Sequence, residues 1–412
     1  MKRRVNLDLL RILAMLGIIL FHHFGNKTPN HFVELTAGFS NETYFYDFIN
    51  NIPGKVSALS LVMDFCYGHF GNGGNYIFML ITGYFLYERT IIFTDRVRTA
   101  GKVLYAILFY GIILTVINFL LLKYCFPFEA YKSYHPLFNL PNWLSGENLW
   151  YLQAYCIFIL LFLPLIKHFV QPRLTRSTHL CLASTLAFMN LLAYTKYLPS
   201  IWISNRMLEF SMCYLIGGYF SKYKIRIGWI KLIICAGAYL AAYFTYEYYW
   251  RYACAAEYEN PGAYSYISVM QPYICCIIFA LICFSIMNNI RISSKISGKL
   301  LKRLASATMG IYIFHFNVIS ISLLLANDYW WDDWSQTGYF LFAVLDSMLL
   351  FAIGFALDIL RQWSYKGLES VFIRQFSELQ MKSFEVEMRV NSEKYNEQKK
   401  RIVNRLNHKT AR

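Results

Sequence analysis

Residues 103–122, VLYAILFYGIILTVINFLLL, form a run of 20 side chains without a single Asp, Glu, Lys, Arg or His. A helix of about 20 residues crosses a hydrocarbon layer roughly 30 Å thick. In lipid the backbone must satisfy its own polar groups, so only a helix or a closed barrel can span. The run does not alternate apolar with polar residues, and that selects the helix. Nine further apolar runs resemble it, which predicts an all-α, polytopic membrane bundle of about ten spans near 5–24, 68–88, 103–122, 149–166, 180–197, 207–221, 228–249, 267–287, 305–326 and 338–361. Charged residues make up only 15% of the chain, against about 25% in a soluble domain.

An even number of spans puts both termini on one side, and the basic residues say which. The stub before the first span and every second connection after it hold 19 Lys and Arg, the opposite connections 7. By the positive-inside rule both termini are cytoplasmic. The same distribution explains the net charge of +15 as topology and lipid-headgroup contact, with no nucleic-acid partner. The chain divides into a spanning domain, 1–362, and a charged cytoplasmic tail, 363–412. The first run has a basic start but no small-x-small cleavage pattern, so a retained span is expected. The cysteines are scattered without a Cys-x-x-Cys pair and are expected to be reduced.

The first span carries its ionisable residues in a pattern. From Arg11 to His22 a helix turns by eleven steps of about 100°, returning to within about 20° of the same face and about 16 Å further along. Asp8 lies three residues before Arg11, near enough to pair. Arg11 reads either as a snorkelling interface residue or as part of a buried polar face, and His22 either as an interface histidine or as a general base facing a cavity. His23, turned about 100° away, reads as a neighbour. Asp346, in the outer half of the last span, can orient an imidazole or meet an acceptor hydroxyl. His315 can approach His22 if the bundle folds back. The histidines show no metal-ligand spacing, so no metal is expected.

The stretch GNGGNYIFMLITGYFLYERTIIFTDRVRTAGK, 71–102, lacks the Lys-Ser/Thr of a phosphate loop, and its glycines read as close helix packing or a broken helix. It ends in Arg89, Arg96, Arg98 and Lys102, which serve either as topology charge or as a site for a phosphorylated ligand.

Four segments in order are similar to acyltransferase family 3. NLDLLRILAMLGIILFHH at 6–23 resembles its basic-x10-His first span, FMLITGYFL at 78–86 its Gly-aromatic second span, ENLWYLQAYCIFILLFLPLI at 147–166 its Trp-aromatic fourth span, and SATMGIYIFHFNV at 306–318 its late IYxxH span. The resemblance implies a multi-pass plasma-membrane enzyme, bacterial in setting, that moves an acyl group, usually acetyl, from cytoplasmic acyl-CoA (acetyl-CoA as co-substrate) to a hydroxyl of a surface or lipid-linked carbohydrate such as a capsular polysaccharide. It implies His22 as the catalytic residue with Arg11. It also implies that Arg96 and Arg98, spaced Arg-x-Arg where the family often has Arg-x-x-Arg, hold the donor, with Lys102, Gly83 and Tyr84 expected beside them. It leaves Asp8, Trp150, Glu147, His315 and Asp346 as expected substrate-contacting or supporting residues, although Glu147-Asn148 stands where many members have His or Gly-His. Homo-oligomers are left open, and a proton-coupled transporter or flippase is the alternative, because proton relays use the same residue types.

Overall fold

The computed structural model describes residues 4–35, 58–90, 93–124, 149–193, 202–256, 261–292, 295–330 and 336–388. Every regular element among them is helical. In chain order these are α1 (Val5–Leu35), α2 (Ala58–Leu86), α3 (Phe93–Tyr124), α4 (from Trp150), α5 (Arg176–Ala193), α6 (Trp202–Lys222), α7 (Trp229–Ala256), α8 (Pro261–Asn289), α9 (Lys295–Trp330) and α10 (Gln336–Met388). Among the described residues four stretches have the length and composition of a membrane span: Val5–Phe24, Asp95–Ile117, Trp150–Arg173 and Thr337–Gly367. Trp229–Thr245 and Cys275–Asn289 are shorter apolar helices. The all-helical membrane class therefore holds, with four of the ten expected crossings meeting both criteria.

α4 begins as an α-helix at Trp150–Ile157 and continues to Arg173 through π-helical turns at Phe158–Phe162 and Ile166–Val170. Pro164 sits between them. A proline inside a helix removes one backbone donor and clashes with the preceding turn, and wider turns absorb that misfit.

α2 packs most heavily, against α1, α6 and α8. Its glycines explain how. A Cβ on Gly71 would come within 2.8 Å of the Phe21 ring, and one on Gly74 within 2.7 Å of Ile18. On another side of α2, a Cβ at Gly83 would overlap the Tyr214 backbone, and one at Gly217 the Leu80 carbonyl. Small residues let helices approach closely where lipid supplies no hydrophobic drive between them. The glycine-rich stretch is thus close packing within an unbroken helix. Outward faces are apolar: on α3, Leu104, Leu108, Ile112 and Val116 repeat every fourth residue and are 52–68% exposed, a stripe suited to acyl chains.

Contacts divide the chain into two units, Met1–Asp358 and Ile359–Arg412. Asp358 is fully buried in the first, with the Tyr110 hydroxyl 3.3 Å from its Oδ1. It is an interior group there, more than the end anchor its position at the foot of a span suggests.

Candidate functional site

α1 is uninterrupted from Val5 to Leu35, so Arg11 and His22 do share a face. Asp8, 1% exposed, lies 3.9 Å from Arg11 Nη1. The guanidinium also sits 5.8 Å from the centre of the Phe85 ring and within electrostatic reach of Tyr151 and Tyr155. Arg11 therefore belongs to a polar, aromatic strip inside the bundle.

Three turns further on, α1 meets α9. The rings of His22 and His315 are 5.1 Å apart between centres. His315 is buried, and its Nδ1 lies 2.7 Å from the Tyr312 carbonyl and 3.2 Å from that of Ile311. The Tyr312 ring lies 5.5 Å from His315 and 5.5 Å from Tyr151. Two sequence segments far apart in the chain are thus brought together around His22.

Asp346 does face an imidazole, but that of His23. His23 Nε2 is 3.0 Å from Asp346 Oδ2, and the Tyr339 hydroxyl donates to the His23 carbonyl at 2.6 Å. His23 is fully buried, so it is a structural partner of α10, more than a bystander to His22.

Trp150 lies beneath a cation. Arg206 Cζ stands 4.1 Å from the centre of its ring, a close cation–π geometry. Arg206 Nη1 also reaches both carboxylate oxygens of the fully buried Glu209, at 2.9 and 3.2 Å. Glu147, beside Trp150 in sequence, lies outside the described residues.

At the other end of α2 and α4 the chain forms a cleft of about 460 Å³ lined by Tyr87, Glu88, Arg89, Thr90, Arg96, Leu163, Pro164, Lys167, His168 and Gln171. Lys167 Nζ donates to the carbonyls of Tyr87 and Arg89 at 2.9 and 2.6 Å, and Gln171 Nε2 to Tyr87 at 2.6 Å. They satisfy carbonyls of the turn that follows α2, where no helical hydrogen bond is available. Arg96 Nε is buried without a hydrogen-bond partner among the described residues, leaving a guanidinium donor available at the cleft wall. Arg98 and Lys102 do not line it. Gly83 is spent on packing against α6, and Tyr84 is buried under Arg4, whose Cζ is 5.1 Å from its ring centre. Of the expected donor residues, then, Arg96 lines the cleft, while Gly83 packs against α6.

Sequence reading missed the Arg206 cation over Trp150, the Tyr312 ring beside His315 with Tyr151 behind it, and the Lys167 to Gln171 side of the cleft. The IYxxH spacing contains Tyr312 and His315 together, so Tyr312 had a signal; the π-helical geometry that turns Lys167 toward α2 had none beyond Pro164.

A family model described as an acyltransferase domain matches residues 4–357. No curated protein and no solved structure matches the chain.

Proposed function

We propose, from the premise that the chain belongs to acyltransferase family 3 and is a membrane-embedded acyltransferase, that it takes an acetyl group from cytoplasmic acyl-CoA and places it on a carbohydrate hydroxyl. The observation that carries this reading is the meeting of His22 and His315 inside the bundle, on the same α1 face as Arg11. An alcohol is a poor nucleophile, so its attack on a thioester carbonyl needs a base within hydrogen-bond reach. His22, half-buried beside a second imidazole, suits that role.

The donor end fits as well. On the expected orientation the cleft opens to the cytoplasm, and Arg89, Arg96 and His168 present donors suited to the phosphates of a nucleotide thioester. Lys167 is already engaged with backbone carbonyls and shapes the cleft. Arg11, further in, is placed to orient the acyl end. The hydroxyl proton passes to His22, oxygen attacks the carbonyl carbon, the C–S bond breaks, and the thiolate recovers the proton. The acceptor as a capsular or other surface glycan, and the bacterial plasma membrane as the setting, belong to the same proposal.

Purified protein given acetyl-CoA and cell-envelope glycan should release free CoA thiol in proportion to acetyl found on the glycan by mass spectrometry. Thiol release absent under all acceptor conditions, with transport of either substrate detected instead, would favour the transporter alternative.

A further inference from the structure

His315 is the group in this bundle whose surroundings decide its protonation chemistry. Its Nδ1 approaches two backbone carbonyls, Tyr312 at 2.7 Å and Ile311 at 3.2 Å. A carbonyl oxygen only accepts, so Nδ1 must carry the hydrogen, and in the neutral ring Nε2 is then an acceptor. The side chain is 1% exposed, and Nε2 has no hydrogen-bond partner among the described residues. A buried acceptor left unmatched is destabilising, which calls for an explanation.

The nearest imidazole supplies one. Two imidazoles joined by an N–H···N bond of about 3 Å have ring centres roughly 5 Å apart, and the centres of His22 and His315 are separated by 5.1 Å with the planes tilted by 50°. The last torsion of histidine is broad, so at this centre-to-centre separation an N–H···N bond to Nε2 is compatible with an adjustment of the His22 ring. The second histidine of the pair is occupied elsewhere, since His23 Nε2 is 3.0 Å from Asp346.

We propose that His315 is a positioning residue for His22: its Nε2 accepts the N–H of one His22 ring nitrogen and leaves the other nitrogen as the base facing the acceptor hydroxyl. The backbone carbonyls of residues 311 and 312 fix the tautomer of His315, His315 fixes that of His22, and His22 receives the proton. The bond also disperses the charge that forms on His22 during transfer. A base oriented by a third group through its far nitrogen follows the logic of hydrolase triads, here with an imidazole in the orienting place. This rests on the acyltransferase reading for its catalytic consequence, but the pairing itself can be tested separately.

Two substitutions in the full-length protein separate the pairing from a packing role. In His315→Asn the side-chain amide takes the place of Nδ1 and keeps the contact with the carbonyls, while Nε2 is lost. In His315→Gln the amide reaches the place of Nε2 and keeps an acceptor toward His22. The expected result is kcat for CoA-thiol release within about tenfold of wild type in His315→Gln and lower by about 10²- to 10³-fold in His315→Asn, with KM for the donor unchanged in both. His315→Asn retaining the activity that His315→Gln loses, or both matching wild type, would overturn the proposal. Selective ¹⁵N-histidine labelling reads the His22 tautomer without any turnover: one dominant tautomer in wild type and His315→Gln, and a mixture in His315→Asn, is expected, whereas the same tautomer population in all three would also overturn it. A wild type that holds a single His22 tautomer yet releases no thiol would leave the pair standing and remove the acyl-CoA reading.

Discussion

Alanine at His22 and alanine at His23 should fail in different ways, although the two residues are neighbours in sequence. A positioned base contributes typically about 10²- to 10⁴-fold to a transfer step, which is roughly 2.7–5.4 kcal/mol at 1.36 kcal/mol per tenfold. His22 is half-buried, so His22→Ala sacrifices little packing, and nearly the whole effect should fall on kcat. His23 is fully buried, 3.0 Å from Asp346 Oδ2 and 6.0 Å from the Phe342 ring. His23→Ala leaves a buried carboxylate without its imidazole, a loss of about 1–3 kcal/mol, and that cost falls on stability. The assay pairs thiol release per folded molecule in detergent with the thermal midpoint of the same sample. His22→Ala should be inactive at an unchanged midpoint, and His23→Ala should unfold earlier while its folded fraction keeps most of its turnover. An active His22→Ala enzyme beside a folded but inactive His23→Ala enzyme would refute the shared-face argument and move the chemistry one residue along.

Arg96→Ala should raise KM for acyl-CoA by roughly ten- to a hundredfold, the loss of one charge-assisted phosphate contact, whereas Arg98→Ala, outside the cleft, should change it far less; equal effects in a donor-titration assay would detach the donor from the cleft. Arg11→Lys should retain part of the transfer rate and Arg11→Ala very little, because lysine keeps the charge but loses the planar fork; normal turnover in Arg11→Ala protein would return Arg11 to a snorkelling role. Gly83→Ala should destabilise the bundle by about 1–3 kcal/mol through overpacking against the Tyr214 backbone, and a midpoint equal to wild type in a melt would show that α2 and α6 can separate without cost.

The parts of this molecule that one helix can encode by itself were readable. Lipid excludes most architectures, so a charge-free run of span length already selects a helix. A fixed turn per residue then puts Arg11 and His22 on one face without knowledge of any neighbour. What resisted reading depends on which helices meet. Nothing local tells that Asp346 meets His23, because that depends on the rotation of α10 against α1. Nor does the basic run after α2 reveal which of its cations turns inward: Arg96 lines the cleft while Arg98 does not, and the cleft exists only where the π-helical end of α4 brings Lys167 and Gln171 to the Tyr87 carbonyl, just past α2.

The glycines show the same division at closer range. Their presence in a span signals close approach, but not of what. Gly83 stands next to a cation cluster in the sequence and suggests a ligand contact, yet its missing side chain is filled by the backbone of Tyr214, while Gly217 on α6 returns the same accommodation to Leu80. Gly71 and Gly74 do for α1 what Gly83 does for α6, and the ring that presses on Gly71 is Phe21, the residue before His22. A larger side chain at Gly71 would push α1 outward at that point. The distance between His22 on α1 and His315 on α9 therefore depends in part on a residue of α2 that bears no chemistry, so this pair of imidazoles is positioned by an absent side chain as well as by those present.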